Sequence, residues 1–492
     1  MEKILLLIFS LGLNIIYAQN CNTPSAYIEL DVNNIKAGLL NGGDMWWDGV
    51  SEARYTYPND GSTTPKNIAF TGAIWLTAYD SNNNLKCSSQ LYRSNGYDFW
   101  TGPIQNNGPW VDDSVCSKFD RFFEVYKAEV ITHINRVNTI SLPLPLSSIL
   151  NNIKEWPGKG NQYLLNTYGI HIDEDLAPFE DSNNNGIYDP QNGDYPLSKG
   201  DQCIFWVIND IGSTIHTNSG GDALGVEIQC MAYAYATNNA VNDATFYDYT
   251  IIKKTPDTLF NFLFSNAIDA DIGDGTDDYC DSDTLLNYGY TYNADNYDLD
   301  YEQNPPIFAT LITKTPNNLG MSSFMYFIGS SGPQGEPETA IHFRNYQTFH
   351  WKNNLPITPN INGITECILG ITPGDRKTVQ TSGPYTLSPY TPLQFSFAAI
   401  VIPTDSTYDG CPDKTIIINP TIKFIKNYLD TVNNLALNLT FPSAISNFSK
   451  NDHLLSLYPN PTSEKLYLNL DPSFELAKIE IYDTKGAIIK AE

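Results

Sequence analysis

Long segments in which apolar and polar residues alternate run through the middle of the chain. They are CIFWVIND (203–210), GVEIQCMAYAYAT (225–237), ATFYDYTIIKKT (244–255), TLFNFLFSNAID (258–269) and PLQFSFAAIVIP (392–403). Alternation with a period of two is typical of strands, and few helical patterns separate these segments. Because parallel strands would need crossover helices, the pattern favours antiparallel pairing. We therefore predict a mostly β protein with antiparallel β-sandwich or jelly-roll-like domains in tandem.

The composition supports this fold class. Aromatic residues make up 13% of the chain and charged residues only 17%, a balance that suits half-buried strands better than solvated helices. One helix is predicted near 420–432, with its apolar residues on one face. The predicted organisation is a signal peptide (1–18), an N-terminal β domain (19–170), an acidic connector (171–202), a β-sandwich domain (203–443), a linker (444–453) and a C-terminal segment (454–492).

The N-terminus has the features of an export signal. Lys3 precedes an apolar run from Ile4 to Ile16, and the small residue Ala18 offers a cleavage point. No other segment approaches the roughly 20 apolar residues that a membrane helix needs, so we expect no membrane span. The mature protein is expected outside the cytoplasm.

The chain is strongly acidic. Its 55 acidic residues exceed its 28 basic residues and leave a net charge of −27. Such a charge repels nucleic acid and anionic membranes and attracts divalent cations. We therefore expect no nucleic-acid partner.

Eight cysteines follow the signal peptide, and export permits disulfides. Two local pairs, Cys87 with Cys116 and Cys203 with Cys230, are compatible with the spacing, although spacing alone does not determine connectivity. The alternative is that several cysteines are buried thiols.

Tryptophan is concentrated in the first third of the chain. These residues could form an aromatic platform for sugars or a tryptophan-rich core, and the core is favoured because large aromatics dominate burial. The residues concerned are Trp46, Trp47, Trp75, Trp100, Trp110 and Trp156.

The segment EDSNNNGIYDPQNGDYP (180–196) has the spacing of a calcium loop. Oxygen ligands stand at positions 1, 3, 5, 7 and 9 of the loop, and Gly186 occupies position 6, where the chain turns sharply. Position 12 is Asn192 instead of the bidentate glutamate of an EF-hand, and nearby prolines argue against flanking helices. The segment is therefore more similar to the helix-free calcium loops of thrombospondin-type repeats, with Asp194 as the substitute ligand. The predicted ligands are Asp181, Asn183, Asn185, Ile187, Asp189 and Asp194.

The alternative for this segment is a solvated acidic turn. If it is a calcium loop, its position at the expected domain boundary predicts that it holds the two β domains together.

A second acidic region follows. Residues 255–313 contain twelve carboxylates and neither lysine nor arginine, and like charges so close together destabilise a compact state unless solvent or a cation compensates them. Interleaved tyrosines disfavour disorder. We predict calcium binding here too, with a less regular ligand set: Asp269, Asp271, Asp277 and Asp278.

Catalytic motifs are not recognisable. The chain lacks H-E-x-x-H, G-x-S-x-G, a phosphate loop and a dinucleotide fingerprint. His216 near Ser219 is more easily explained as part of a polar loop than as a base beside a nucleophile. We predict no catalytic residues and a non-enzymatic binding or adhesive protein, with extracellular glycans or proteins as candidate partners. The alternative is a secreted hydrolase, a glycosidase or peptidase, whose paired carboxylates sequence spacing does not reveal.

The C-terminal segment carries a specific resemblance. Tyr458-Pro459-Asn460-Pro461-Thr462 is followed by alternating leucines (466, 468, 470), then by IEIYD (479–483) and Gly486. This pattern resembles the type A C-terminal sorting domain of the type IX secretion system. The resemblance implies recognition by the type IX secretion machinery and a secreted or outer-membrane surface-attached product. Since the family pattern continues beyond the equivalent of Glu492, we expect a partial domain over 454–492.

The body of the chain also resembles large, uncharacterised cargo proteins of the same system. The stretches that carry this resemblance include NGGDMWW (41–47), GYDFWTGP (96–103) and GVEIQCMAYA (225–234). No reaction is implied by it.

Overall fold

The computed structural model describes residues 21–105, 111–356, 366–367, 369–406 and 414–438, together with the strand residues 456–458, 467–469, 480–482 and 488–491. The expected signal peptide (1–18) and linker (444–453) lie outside the described residues. The chain divides into two compact units, residues 1–422 and residues 423–492.

Strands account for 35% of the chain and helices for 18%, which confirms the mostly β fold class. Each of the long alternating segments forms a strand, and every pairing between the strands of the first unit is antiparallel. In chain order they are β1 (Tyr27–Leu30), β2 (Lys36–Leu40), β3 (Asp44–Met45), β4 (Tyr55–Thr56), β5 (Asn67–Ala69), β6 (Thr71–Tyr79), β7 (Leu85–Ser89), β8 (Trp100–Thr101), β9 (Phe123–Tyr126), β10 (Phe179–Glu180), β11 (Tyr195–Pro196), β12 (Gln202–Asn209), β13 (Val226–Ala234), β14 (Ala244–Lys253), β15 (Leu259–Asp269), β16 (Asp278–Asp283), β17 (Tyr288–Asn293), β18 (Tyr297–Asp298), β19 (Glu302–Gln303), β20 (Ile307–Lys314), β21 (Ser323–Phe327), β22 (Lys377–Leu387) and β23 (Leu393–Ile402).

The helices are α1 (Asp113–Phe119), α2 (Lys127–Thr139), α3 (Asn151–Glu155), α4 (Gln162–Tyr168), α5 (Ala340–Gln347) and α6 (Thr415–Asn438). α6 includes the helix predicted near 420–432. α1 to α5 were not predicted from the sequence, and all of them except α2 have eight residues or fewer. In α2, for example, only Val130 and His133 are buried, so its apolar face is too narrow to produce a clear helical period.

Two large sheets form the first unit. Among the described residues, the first sheet has the order β21-β22-β15-β6-β3-β2-β4-β5, with β1 beside β2 and β7 beside β6. The second has the order β16-β17-β20-β23-β14-β13-β12-β8, with β9 beside β12. Small two-stranded sheets, β10-β11 and β18-β19, lie outside them.

The two sheets share one hydrophobic core and therefore pack as a sandwich. Trp46, which directly follows β3 of the first sheet, is fully buried. Its Nε1 donates to the hydroxyl oxygen of Tyr247 on β14 at 2.9 Å. The ring of Phe264 on β15 stacks on Phe395 of β23 with centroids 4.4 Å apart. Truncating such a buried aromatic typically costs about 3–5 kcal/mol. The core interpretation of the tryptophans is confirmed for the five described ones, whereas Trp110 lies outside the described residues.

Strands from both sides of the expected boundary at 171–202 are interleaved in both sheets. β6 pairs with β15 in the first sheet, and β12 pairs with β8 and β9 in the second. The segments 19–170 and 203–443 therefore do not build separate sandwiches. Periodicity identified the strands correctly but contains no information about which distant strand becomes a neighbour.

The cysteine pairs compatible with spacing do not form. Cys116 on α1 forms a disulfide with Cys21, and Cys367 is also disulfide-bonded. Cys87, Cys203 and Cys230 are free and buried, as is Cys280. Cys203 and Cys230 stand on neighbouring strands, but their register partners are Tyr233 and Trp206, so they do not face each other. The buried-thiol alternative therefore holds for these four residues.

In the second unit, the described strands pair as two antiparallel hairpins. β24 (Ser456–Tyr458) pairs with β25 (Tyr467–Asn469), and β26 (Glu480–Tyr482) pairs with β27 (Ile488–Ala491). The alternating leucine and isoleucine pattern predicted strands in these places.

Candidate metal centre

The predicted calcium loop connects β10 to β11, which pair through Glu180 and Tyr195. We call residues 181–194 the Asx loop. It packs against the helical region and does not lie between two β domains, which corrects the expectation that it joins them. His133 Nε2 lies 3.0 Å from the carbonyl oxygen of Asp194, and the Tyr188 hydroxyl donates to the carbonyl of Ile153 at 2.6 Å.

The first half of the Asx loop is coiled by side chains that accept hydrogen bonds from its own backbone. Asp181 accepts from the amides of Asn185 at 3.1 Å and Gly186 at 2.7 Å. Asn183 Oδ1 accepts from Asn185 N at 3.0 Å, and Asn185 Oδ1 accepts from Ile187 N at 2.9 Å. Successive turns of this kind bring the side-chain oxygens of alternate residues to one side of the loop.

Gly186 is required by its backbone conformation. Its φ is +79°, in the left-handed region, and no heavy atom lies within 4 Å of where a Cβ would stand. A side chain at position 186 would therefore have room, and it is the positive φ that favours glycine there. This is the sharp turn that the spacing predicted at position 6.

Three asparagine side chains of the Asx loop converge on Asp189. Its two carboxylate oxygens accept from the side-chain amides of Asn183 at 3.0 Å, Asn185 at 2.9 Å and Asn192 at 2.8 Å. A rotation of an asparagine amide by 180° exchanges its nitrogen and oxygen. Rotation of the Asn192 amide can therefore present its oxygen to a cation held at Asp189, whereas the amide oxygens of Asn183 and Asn185 would first have to give up their bonds to backbone amides.

Asp194 supplies a second, buried carboxylate. It is 0% exposed, and its oxygens accept from Ser182 N at 2.9 Å and from Asp189 N at 2.8 Å. Burial, with a further contribution from the Asp189 carboxylate, raises the pKa of Asp194 to about 7. Carboxylates, amide oxygens and a backbone carbonyl from Ile187 are the hard ligands that calcium takes, usually six to eight in number. The residues present therefore fit calcium.

The second acidic region has a different geometry from the predicted one. Among the described residues, one group of acidic, histidine or cysteine side chains brings three ligand atoms within 4.8 Å of one another: Asp269, Asp271 and Asp375. We call these three residues the carboxylate triad. Asp375 was missed because it is distant in sequence. It lies two residues before β22, which pairs with the strand that ends at Asp269.

Lys377 already neutralises part of the carboxylate triad. Its Nζ lies 3.4 Å from Asp269 Oδ1 and donates to the Asp375 oxygens at 2.8 and 2.7 Å. Burial raises the pKa of Asp269 to about 6 and that of Asp271 to about 8, and neighbouring carboxylates act in the same direction. The triad is therefore a partly buried ion-pair cluster in which Lys377 contacts two of the three carboxylates.

Asp277 and Asp278, predicted as ligands with Asp269 and Asp271, do not join the triad. Asp277 Oδ1 accepts from Asn293 Nδ2 at 2.8 Å, and Asp278 Oδ2 accepts from Ile272 N at 3.1 Å. Asp278 is fully buried, and burial followed by the charges of Asp271 and Asp277 raises its pKa well above the ordinary value.

His216 lies in a buried polar cluster. Its Nδ1 is 2.8 Å from the carbonyl oxygen of Cys87, and its Nε2 is 2.7 Å from the carbonyl oxygen of Asp210. Both nitrogens must donate to satisfy these acceptors, which requires the imidazolium form. Burial alone would lower the pKa of His216, but the charges of Asp98 and Asp210 raise it. His216 is therefore a structural cation, and neither of its nitrogens is available to act as a base.

The comparisons with known proteins concern the C-terminus. Residues 456–492 match the family model described as the secretion system C-terminal sorting domain. No curated protein matches the chain. Among the described residues, no helix is long and apolar enough to cross a membrane.

The match covers the residues that form β24 to β27. It confirms the resemblance read from the YPNP turn and the alternating apolar residues. Residues 456–492 thus carry a sorting domain of the type IX secretion system, which supports export of the protein by that system to the cell surface or the medium.

Proposed function

We propose that the protein is a calcium-stabilised extracellular binding protein without catalytic activity of its own. The sorting domain supports the extracellular location. The observation that carries the calcium part is the convergence of three asparagine amides on Asp189, beside the buried Asp194. Two carboxylates so close together repel each other, and a divalent cation removes that repulsion.

The inference that the protein has no catalytic activity is based on the buried polar cluster around His216. His216 lies in the same loop as Ser219, but both its nitrogens face backbone carbonyls. The Ser219 hydroxyl lies 3.4 Å from the carbonyl oxygen of Cys87, which it can reach as a donor. These groups are engaged in holding loops together, which supports a binding role for the sandwich surface over hydrolysis.

Calorimetric titration of the whole protein with calcium tests the proposal. We expect binding, and a rise in melting temperature that corresponds to about 2.7 kcal/mol when free calcium is a hundredfold above the dissociation constant. Magnesium should substitute poorly, because it demands a smaller octahedral site. Asp189→Ala should remove the response, whereas Asp173→Ala, at an exposed aspartate outside the Asx loop, should keep it. No binding heat, together with melting that chelator leaves unchanged, would refute the calcium part.

A further inference from the structure

A groove runs across the outer face of the second sheet, on the side away from the core. Gln229 alternates with the core residues Ile228 and Cys230 on β13, and Gln394 precedes the core residue Phe395 on β23. Two adjoining cavities of about 820 and 240 Å³ lie on this face. They share Leu176, Pro178, Gln229, Thr250 and Gln394, and we call the continuous depression the sheet groove.

One wall of the sheet groove is the segment that leads into the Asx loop. Ala177 N donates to the carbonyl of Pro157 at 3.3 Å, and Leu197 N donates to the carbonyl of Pro178 at 3.1 Å. The side-chain amide of Gln229, on the groove floor, donates to the carbonyl of Asp175 at 3.0 Å. Backbone hydrogen bonds and the side chain of Gln229 thus hold the wall in place. This wall leads directly into the Asx loop.

The sheet groove is electrically balanced in a strongly acidic protein. Four lysines and four acidic residues line it, whereas the whole chain has 28 basic and 55 acidic residues. Each lysine already has a partner. The pairs are Lys159 with Asp175 (3.6 Å), Lys199 with Asp248 (2.6 Å), Lys254 with Glu174 and with Glu227 (3.3 Å to Glu227), and Lys314 with the Gln394 amide oxygen (2.7 Å).

An exposed aromatic stands at the rim of the sheet groove in an unusual backbone conformation. Tyr390 is 62% exposed and has a φ of +56°, in the left-handed region that glycine and asparagine normally occupy. Its amide donates to the carbonyl of Lys253 at 2.8 Å, which holds the turn against β14. A bulky side chain kept where glycine would be less strained is an outlier that points to a use for the ring.

We propose that the sheet groove binds a neutral polysaccharide, with the Tyr390 ring stacked on a sugar ring. This inference rests on the proposed binding function and names its ligand class. Sugar hydroxyls are neutral and both donate and accept. The Gln229 amide oxygen can accept from them, the Gln394 amide nitrogen can donate to them, and the Thr250 hydroxyl can do both. The aromatic face supplies the apolar contact. A charged peptide or an anionic polymer is disfavoured, because three of the four groove lysines are paired with carboxylates and the fourth, Lys314, is bound to the Gln394 amide oxygen.

Electrophoresis of the whole folded protein through gels containing neutral polysaccharides tests this inference. The probes are a galactomannan, a xyloglucan, a β-1,3-glucan and an α-1,4-glucan. We expect at least one of them to retard the protein, and Tyr390→Gly to abolish the retardation while the melting temperature stays equal or rises. Tyr297→Ala is the matched control, because Tyr297 is 48% exposed and lies outside the groove lining.

Retardation by none of the four polysaccharides, or equal retardation of Tyr390→Gly and the unaltered protein, would overturn the inference. The calcium proposal fails separately: calcium-dependent melting without retardation rejects only the sugar ligand, and Tyr390-dependent retardation without calcium-dependent melting rejects only the metal. Binding of charged peptides in place of sugars would reject the ligand class and leave a binding protein.

Discussion

Asp269 and Lys377 are register partners on the neighbouring strands β15 and β22, and their side chains form a buried ion pair with Nζ 3.4 Å from Oδ1. The side chains are only 5% and 7% exposed. The hydroxyl of Tyr92 donates to the other oxygen of Asp269. Residues 255–313 contain neither lysine nor arginine, and the charge of Asp269 in this region is thus compensated by a lysine more than sixty residues further along the chain.

Removing this lysine should destabilise the protein strongly. Lys377→Met leaves the carboxylate triad without its cation, and breaking a buried pair in this way typically costs about 3–5 kcal/mol. Lys86→Met is the matched control, because Lys86 pairs with the 72% exposed Asp222 and such exposed pairs contribute about 0–1 kcal/mol. Urea unfolding of both variants measures the difference. Similar losses in the two variants would contradict a structural role for the buried pair.

The His216 cluster predicts a loss of stability in mild alkali. The pKa of His216 in the folded protein is raised above its ordinary value of 6.5, so its contribution is fully present below 6.5 and is lost as the pH rises through the folded pKa. The free energy of unfolding, measured by urea titration over about pH 6 to 9, should therefore decrease with pH. His216→Asn should flatten this decrease, and replacement of the exposed His171 should leave it intact. A pH profile that His216→Asn does not change would exclude this explanation.

The disulfide between Cys21 and Cys116 should contribute substantially to stability. It closes a loop with a sequence separation of 95 residues, for which chain entropy predicts about 4.5 kcal/mol, with typical measured losses of about 2–5 kcal/mol. The variant with both residues changed to serine should unfold at correspondingly lower urea. Cys203→Ala, at a free buried thiol, serves as the control and should show a smaller loss. Equal losses would mean that packing, and not the cross-link, is responsible.

The features that were predicted correctly from the sequence are those that a local pattern of residues determines. Strands with a period of two, such as β12 to β15, and the glycine turn at Gly186 follow from backbone geometry within a few residues. The carboxylate triad could not be completed in this way, because Asp375 meets Asp269 only through the pairing of β15 with β22. For the same reason the sheet groove was not foreseen, since its floor combines β13, β14 and β23. Pairing of distant strands is set by the global fold and leaves no trace in the local period.

Asp194 makes the proposed calcium response dependent on pH. Its pKa is raised from 3.8 to about 7 by burial and by the Asp189 carboxylate. A carboxyl group whose pKa is raised on folding stabilises the protein at low pH, and this contribution is lost as the pH rises through the folded value. In chelator, the melting temperature should therefore fall between about pH 4 and pH 7, by an amount equivalent to about 2–4 kcal/mol.

Calcium should reverse this fall, because it takes the place of the proton on Asp194, and its affinity should therefore increase with pH over the same range. Asp194→Asn should reduce the fall in melting temperature in chelator and weaken calcium binding, whereas Asp173→Asn, at an exposed carboxylate, should change neither. Thermal melts in calcium and in chelator at several pH values provide the measurement. If calcium affinity is the same about two pH units below the expected midpoint and about one unit above it, Asp194 is not a ligand of the cation.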